Sequence, residues 1–362
     1  TAYFAPRLRQ SPESVTIHEF GHQYWYGMVA TNEFEEAFLD EGFNTYSTGL
    51  VLEKAYGPNH ESIELAPGLP YLAAPLLEIP LSSAPGGRGP RPAGVHARLL
   101  DLLLLRPFGP SDSLALNTFR DLPFLNHARH ATIDQVTQQR RRYLAAPEAD
   151  ALARRSWEYL DNRVYGLNSY ARTALVLRTL EGILGPDRML RVMRDWFQRR
   201  QYRHPTLQDF IETVVQIAGP EADGRPIEEF LRQAFYGSDR MDYAAAELTV
   251  ESDTQARGLI GPRGDRRLVT EDDIDTEEST ETRRTRLLVR RFGGFAWPQT
   301  IELRLEDGRA ERSVWDGGYR WMRLERDQPA AALVVDPDGA MALDANRSNN
   351  GRSVDRSALA WL

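Results

Sequence analysis

Apolar residues recur every three or four positions along the middle of the chain. Leu207, Phe210, Val214 and Ile217 form one such stripe, and this spacing places side chains on one face of a helix. The same period predicts helices at about 187–201, 206–218 and 226–235, and one opening at Tyr170 and closed by Gly185-Pro186. It also marks 132–144 and 148–160. Nearer the start, Ser11-Pro12-Glu13 sets a capping serine before a proline and an acid, a helix start. That helix is expected to run to about Met28 and, being rich in apolar and aromatic residues from Val15 to Val29, to be buried. A second is expected from about Glu35 to Tyr56, stopped by Gly57-Pro58-Asn59.

After Tyr243 the period changes to two. Strands are expected at 246–251, 301–306, 319–324 and 331–335, and Asp307-Gly308 is a hairpin turn signal. Several short strands with tight turns indicate a small β-sandwich. Ala2-Tyr3-Phe4-Ala5 is a further short strand candidate. The stretch 61–110 fits neither pattern. Pro67, Pro70, Pro75, Pro80, Pro85, Pro90 and Pro92 interrupt it, so regular structure is not expected over most of it. It reads as an insertion, either a lid on a cleft or a plain surface loop.

Composition narrows the classes. The 362 residues suffice for two or three domains. A formal charge of −8 argues against general nucleic-acid binding, which needs a basic balance. With no cysteine there is no disulfide framework and no thiolate metal site. No apolar run approaches the roughly 20 residues of a membrane helix, though membrane association stays open because the chain opens at Thr1 rather than Met. Lys54 is the one lysine, a skew that reads as base composition. The run Arg140-Arg141-Arg142 is expected on a solvated helix face. The acidic run 271–278 reads as a solvated linker rather than a calcium loop. His127 and His130, with no acid placed to complete a ligand set, read as ordinary histidines.

The chemistry gathers at His18-Glu19-Phe20-Gly21-His22. Two histidines four apart share one helix face, and imidazole nitrogens suit zinc. Glu19 sits about 100° round the helix, beside the ion rather than on it, where it can hold a water. Glu41, with eighteen residues between it and His22, is the candidate third ligand.

HEFGHQYWYG followed by EEAFLDEGFNTYS resembles the aminopeptidase N family of zinc peptidases, which includes the leukotriene hydrolase. The resemblance is strongest over 1–56 and returns near 165–245. It implies that His18, His22 and Glu41 bind one zinc ion and that Glu19 is the general base. The family's oxyanion tyrosine opens a helix in a Tyr-x-Lys-Gly-Ala-like sequence. Tyr170-Ala171-Arg172-Thr173-Ala174 is the match here, with arginine for lysine and threonine for glycine, and Tyr165 is the alternative.

The implied fold is multidomain α plus β. A mainly helical, thermolysin-like catalytic domain (1–243) is followed by a β-sandwich (244–350) and a tail (351–362). The implied activity is removal of N-terminal residues from peptide substrates. The alternatives are a zinc hydrolase of other specificity, such as an endopeptidase or epoxide hydrolase, and a non-catalytic binding module. The family's amine-binding Gly-x-Met-Glu-Asn motif does not occur in the chain, so that motif and a preceding domain are expected upstream of Thr1.

Overall fold

One helix positions everything near the candidate site. α1 (Ser11–Gly21) leads into α2 (Glu33–Tyr56), which Asn32 caps by accepting from the Phe34 amide at 3.1 Å. Three glutamates in the first turn of α2 suit the positive end of its dipole. The helix is kinked at Glu36, whose backbone leaves helical geometry (φ −140°, ψ 55°). That carboxylate turns to the Leu207 amide, 3.2 Å away, at the start of another helix. From Ala37 to Tyr46 every residue of α2 is buried. The structure, a computed structural model, describes residues 11–57, 61–64, 130–222, 224–252, 258–260, 264, 266–269 and 283–354.

Around α2 stand α3 (Gln135–Tyr143), α4 (Asn162–Gly166), α5 (Thr173–Leu184), α6 (Pro186–Arg200), α7 (Leu207–Ala218) and α8 (Ile227–Tyr236). The core beneath α2 is aromatic. Phe43 meets Phe210 at 4.8 Å between centroids, Trp196 meets Phe210 at 5.4 Å, and Phe38 meets Phe235 at 5.7 Å. Burying each phenylalanine contributes roughly 1.5–3 kcal/mol, so this cluster is what holds α2 in place.

Two antiparallel sheets follow the helices. β1 (Glu61–Glu64) and β2 (His130–Ile133) pair with each other, and β3 (Glu221–Ala222) and β4 (Arg225–Pro226) form a small hairpin before α8. The long strands begin with β5 (Tyr243–Ser252), after which β6 (Gly258–Ile260) pairs with β7 (Arg267–Val269). Then come β8 (Arg283–Arg291), β9 (Gln299–Leu305), β10 (Ala310–Trp315), β11 (Trp321–Arg326), β12 (Ala330–Val335) and β13 (Gly351–Ser353). The larger sheet has the order β10-β9-β12-β13 and the smaller β11-β8-β5. Leu248, Leu287 and Val289 of the smaller and Ile301, Leu303 and Leu333 of the larger join the same buried core.

The connection from β12 to β13 reaches back to the helices. The Leu343 amide donates to Thr179 Oγ1 at 2.9 Å, and Arg140 donates to the Asp344 carbonyl at 2.9 and 3.2 Å. Arg140 is thus buried, not on a solvated face as its neighbours in sequence imply, because the carbonyl it reaches is itself buried. Mixed helix and sheet agrees with the α plus β expectation.

Other departures have local causes. α1 stops at Gly21 rather than near Met28. Beyond it Tyr26 takes a positive φ of 89°, and the backbone of 28–30 bonds to Tyr202 and Arg203 instead of continuing a helix. Nor is the segment from Val15 to Val29 buried throughout. Phe20 is 62% exposed, and Val15, Tyr24 and Tyr26 are also exposed. Among the described residues α1 packs on α2 along one face, which leaves the others outward.

No helix forms over 148–160. Asp150 ties that segment into a loop by accepting from the Leu160 amide at 2.8 Å, and only a 3-10 turn, Ser156–Glu158, interrupts it. Gly351–Ser353, expected in a tail, pairs with β12 as β13. Residues 132–133 belong to β2, so the helix expected from 132 starts at Gln135. The strand candidate at 2–5, the prolines of the insertion from Pro67 to Pro92, His127 and the acidic run 271–278 lie outside the described residues.

Candidate metal centre

The site forms where α1, α2 and the turn before α5 meet. His22 lies one residue past α1, yet its amide still bonds to the His18 carbonyl (3.3 Å). The helical spacing therefore carries through and both rings fall on the α2 side. Their centroids are 4.8 Å apart at an interplanar angle of 86°. Two glycines allow the elements this close. A Cβ on Gly21 would lie 1.9 Å from Asn44 Oδ1, and one on Gly42 would lie 2.2 Å from the Thr173 side chain and 2.7 Å from the Ser169 carbonyl. Asn44 also donates to the His18 carbonyl at 2.7 Å, fastening α1 to α2.

Glu41 is the point of convergence. Its Oε2 lies 3.1 Å from His18 Nε2 and 3.4 Å from His22 Nε2. One ligand atom from each of the three residues falls within a 4.8 Å set, the one such three-residue group found among the described residues. Donors about 2.0–2.1 Å from a tetrahedral zinc would stand about 3.3 Å from each other. The two nitrogen–oxygen spacings are close to that value. Two imidazoles with a single carboxylate, leaving a fourth position open, is also a donor chemistry that zinc takes. The residues fit the ion.

Tyr170 closes the other side. It lies in a π-helical segment, Leu167–Arg172, between α4 and α5, a form that often occurs at functional sites. Helix therefore continues through Tyr170 from Asn162 instead of opening there. The Tyr170 hydroxyl donates to Glu41 Oε1, and its ring stacks 5.9 Å from His18. Arg172, where the family has lysine, is buried and donates to the carbonyls of Asp150 and Gly237. It anchors the π segment rather than facing the site. Thr173 returns its hydroxyl to the Asn168 carbonyl at 2.9 Å. Tyr165 packs instead on Tyr159, 5.7 Å between ring centroids.

Sequence reasoning missed Asp40. It is 3% exposed and its Oδ1 lies 2.8 Å from His22 Nδ1. The signal available was an acid directly before the candidate ligand Glu41. Glu19 is exposed, and its charge is close enough to favour protonated His22.

Electrostatics follow from these contacts. Burial would raise the Glu41 carboxyl, but hydrogen bonds from His18 and Tyr170 and the nearby imidazoles outweigh it and hold the carboxyl below its ordinary value. Burial pushes Asp40 up to about 7, against the opposing pull of His22. Burial works to lower His22, and Asp40 more than reverses it. Both changes make the pair hold one proton to higher pH. Tyr170 is raised by burial and then by its bond to Glu41, so its hydroxyl stays a donor.

No family model matches the chain, and no curated protein does. Solved structures similar to it include a Legionella pneumophila aminopeptidase A in complex with aspartic acid. That likeness has 13% identity and a TM-score of 0.42, over 91% of this chain and 26% of that one. A mutant M1 zinc metallopeptidase from Deinococcus radiodurans, bound to a Tyr-Ser-Ala substrate, is similar over 64% of this chain and 34% of that one. Its identity is 15% and its TM-score 0.36. The chain thus spans about a quarter of the length of the first protein and about a third of the second.

Proposed function

We propose that this chain carries the active centre of a zinc peptidase of the aminopeptidase N type, acting on the N-termini of peptides. The observation that carries the reading is the convergence of His18 and His22 Nε2 on the buried carboxylate of Glu41, with the Tyr170 hydroxyl on that same carboxylate. A zinc ion bound there would polarise the scissile carbonyl and bring a water's pKa towards neutrality.

The chain's own residues supply the rest. Glu19 follows the first ligand and is exposed, and in this reading it accepts a proton from the attacking water. The water oxygen bonds to the carbonyl carbon, and Glu19 hands the proton to the amine nitrogen as the carbon–nitrogen bond breaks. Tyr170 stays protonated and donates a hydrogen bond to the carbonyl oxygen as that oxygen gains charge.

We further place a catalytic domain at 1–243 and a β domain after it. The last helix ends at Tyr236 and the long strands start at Tyr243, which supports that division.

One experiment tests the reading. Purified protein is assayed for metal and for hydrolysis of free-amine against N-acetylated peptides. About one zinc per chain and a preference for free amines are expected. His22→Ala and Glu41→Ala should each strip the metal, and full zinc in either variant would overturn the ligand set. Equal cleavage of blocked peptides would replace the aminopeptidase reading with an endopeptidase.

A further inference from the structure

We infer that Asp40 is a positioning residue for the metal centre, holding the His22 ring so that Nδ1 carries the proton and Nε2 presents its lone pair to the metal. This inference rests on the zinc reading of the site. Its basis is the way two consecutive acids take the two nitrogens of one ring. Asp40 Oδ1 is 2.8 Å from Nδ1, and Glu41 Oε2 is 3.4 Å from Nε2. The 2.8 Å contact joins Oδ1 to Nδ1, and because Nε2 is turned towards the Glu41 carboxylate, the hydrogen of that contact is assigned to Nδ1. In a neutral imidazole the other nitrogen is then the acceptor, and Nε2 is the atom that faces Glu41 and His18.

Nothing else in the fold accounts for Asp40. Its side chain is 4% exposed, and among the described residues its one hydrogen-bond partner is His22. A buried carboxylate with a single partner is costly. Carboxylates that only brace the fold find several, as Asp336 does with the amides of Ala340 and Met341. His18 provides an internal contrast. Its ring is held by Tyr170 stacking and by its backbone bond to Asn44, and among the described residues no carboxylate meets its Nδ1. The two rings are thus oriented by different means, and among the described residues only His22 has a carboxylate at its Nδ1. An acid behind a ligand histidine also makes the ring a stronger donor to the ion.

The test uses the 362-residue chain after metal removal. Zinc affinity is measured by competition with a chelator for wild type, Asp40→Ala and Asp40→Asn. The His22 ring tautomer is read from imidazole nitrogen NMR shifts in the metal-free proteins, at a pH high enough that the ring is neutral. Wild type should show His22 as the Nδ1–H tautomer. Asp40→Ala should mix the tautomers and weaken zinc about 10- to 100-fold. Asp40→Asn keeps the volume and can still accept from Nδ1, so it should fall between the two and serves should the alanine variant unfold. Zinc affinity within about twofold of wild type in a folded variant, with the tautomer unchanged, would overturn the inference. If wild type binds no zinc, the metal reading itself fails. The tautomer measurement then still decides whether Asp40 sets the ring, and an unaltered ring in both variants would overturn that as well.

Discussion

Two of the regions that bury carboxylates do so differently. In the connection from β12 to β13, Asp336 accepts from the Ala340 and Met341 amides at 2.8 and 2.9 Å. Asp344 accepts from the Asn346 amide at 2.9 Å and from Asn350 Nδ2 at 3.1 Å. Those partners belong to the same loop and cannot titrate. At the candidate metal centre Asp40 and Glu41 meet imidazoles from the α1 end and a phenol from the π segment. Among the described residues neither of these two carboxyl groups takes a backbone amide. Burial alone therefore does not mark a site. A carboxylate tied to backbone amides fixes a loop; one surrounded by ligand-type side chains is ready to exchange those partners for an ion. Changes at the centre should alter chemistry and spare stability, and changes in the loop should do the reverse.

The largest separation is expected at Glu19. Glu19→Gln leaves the three donors of the metal centre untouched, and its site is exposed, so zinc content and melting temperature should match wild type. Turnover should fall by about 100- to 10,000-fold, since an amide cannot relay the proton. Near-native turnover in a zinc-loaded variant would remove Glu19 from proton transfer.

Tyr170→Phe comes next. The change keeps the ring stacked on His18 and deletes the hydroxyl. Loss of one oxyanion donor costs about 100- to 1000-fold, and an interaction made only in the transition state lowers kcat with KM little changed. A fall shared by KM, or a drop under about tenfold, would mean that the hydroxyl merely braces Glu41.

In the loop the expected signs reverse. Asp336→Ala leaves the amides of Ala340 and Met341 without their acceptor. Leaving buried donors unpaired costs about 1–3 kcal/mol, readable by denaturant unfolding, while zinc affinity should not move. A weakened metal site in this variant would show that the two regions are coupled and that the contrast drawn between them is false.

How much of this was legible in the chain follows the same division. The convergence of His18, His22 and Glu41 is legible from residue type and spacing, and α6, α7 and α8 from amphipathic period. Asp40 does not, because an acid on a helix is ordinary until a ring is seen against it. The π segment escapes a reading based on a 3.6 period. β8 escapes for another reason. Arg283, Arg284, Arg286 and Arg290 obscure its period of two, yet three of them pair with Glu306, Asp327, Glu251 and Glu325 while Leu287 and Val289 enter the core. Arg140 misleads in the opposite sense, since only a tertiary acceptor, the Asp344 carbonyl, offsets the cost of its burial.

The smallest expected effect is a pH dependence that belongs to the loop side. Burial pushes Asp242 up to about 7, and repulsion from Asp344 adds to the rise. A hydrogen bond from Asn349 and the charge of Arg240 oppose it, while Glu148 reinforces it. Asp336 is likewise pushed by burial up to about 6. In the unfolded chain these groups titrate near about 3.9. Between that value and the folded one, the folded state holds more protons than the unfolded state, so stability falls as pH rises. The penalty is complete above about pH 7 and is relieved as pH drops through about 7 and then about 6 towards about 4. A melting temperature taken at pH 6 should therefore exceed that at pH 8, by the equivalent of about 1 kcal/mol for Asp242. His22, also raised, acts in the same direction through the metal-free site, so the comparison is made on zinc-loaded protein. Asp242→Asn keeps the acceptor for Asn349 and removes the titration. It should flatten the slope between pH 8 and 6, and an unchanged slope would show that Asp242 is ionised throughout and paired more fully than its burial implies.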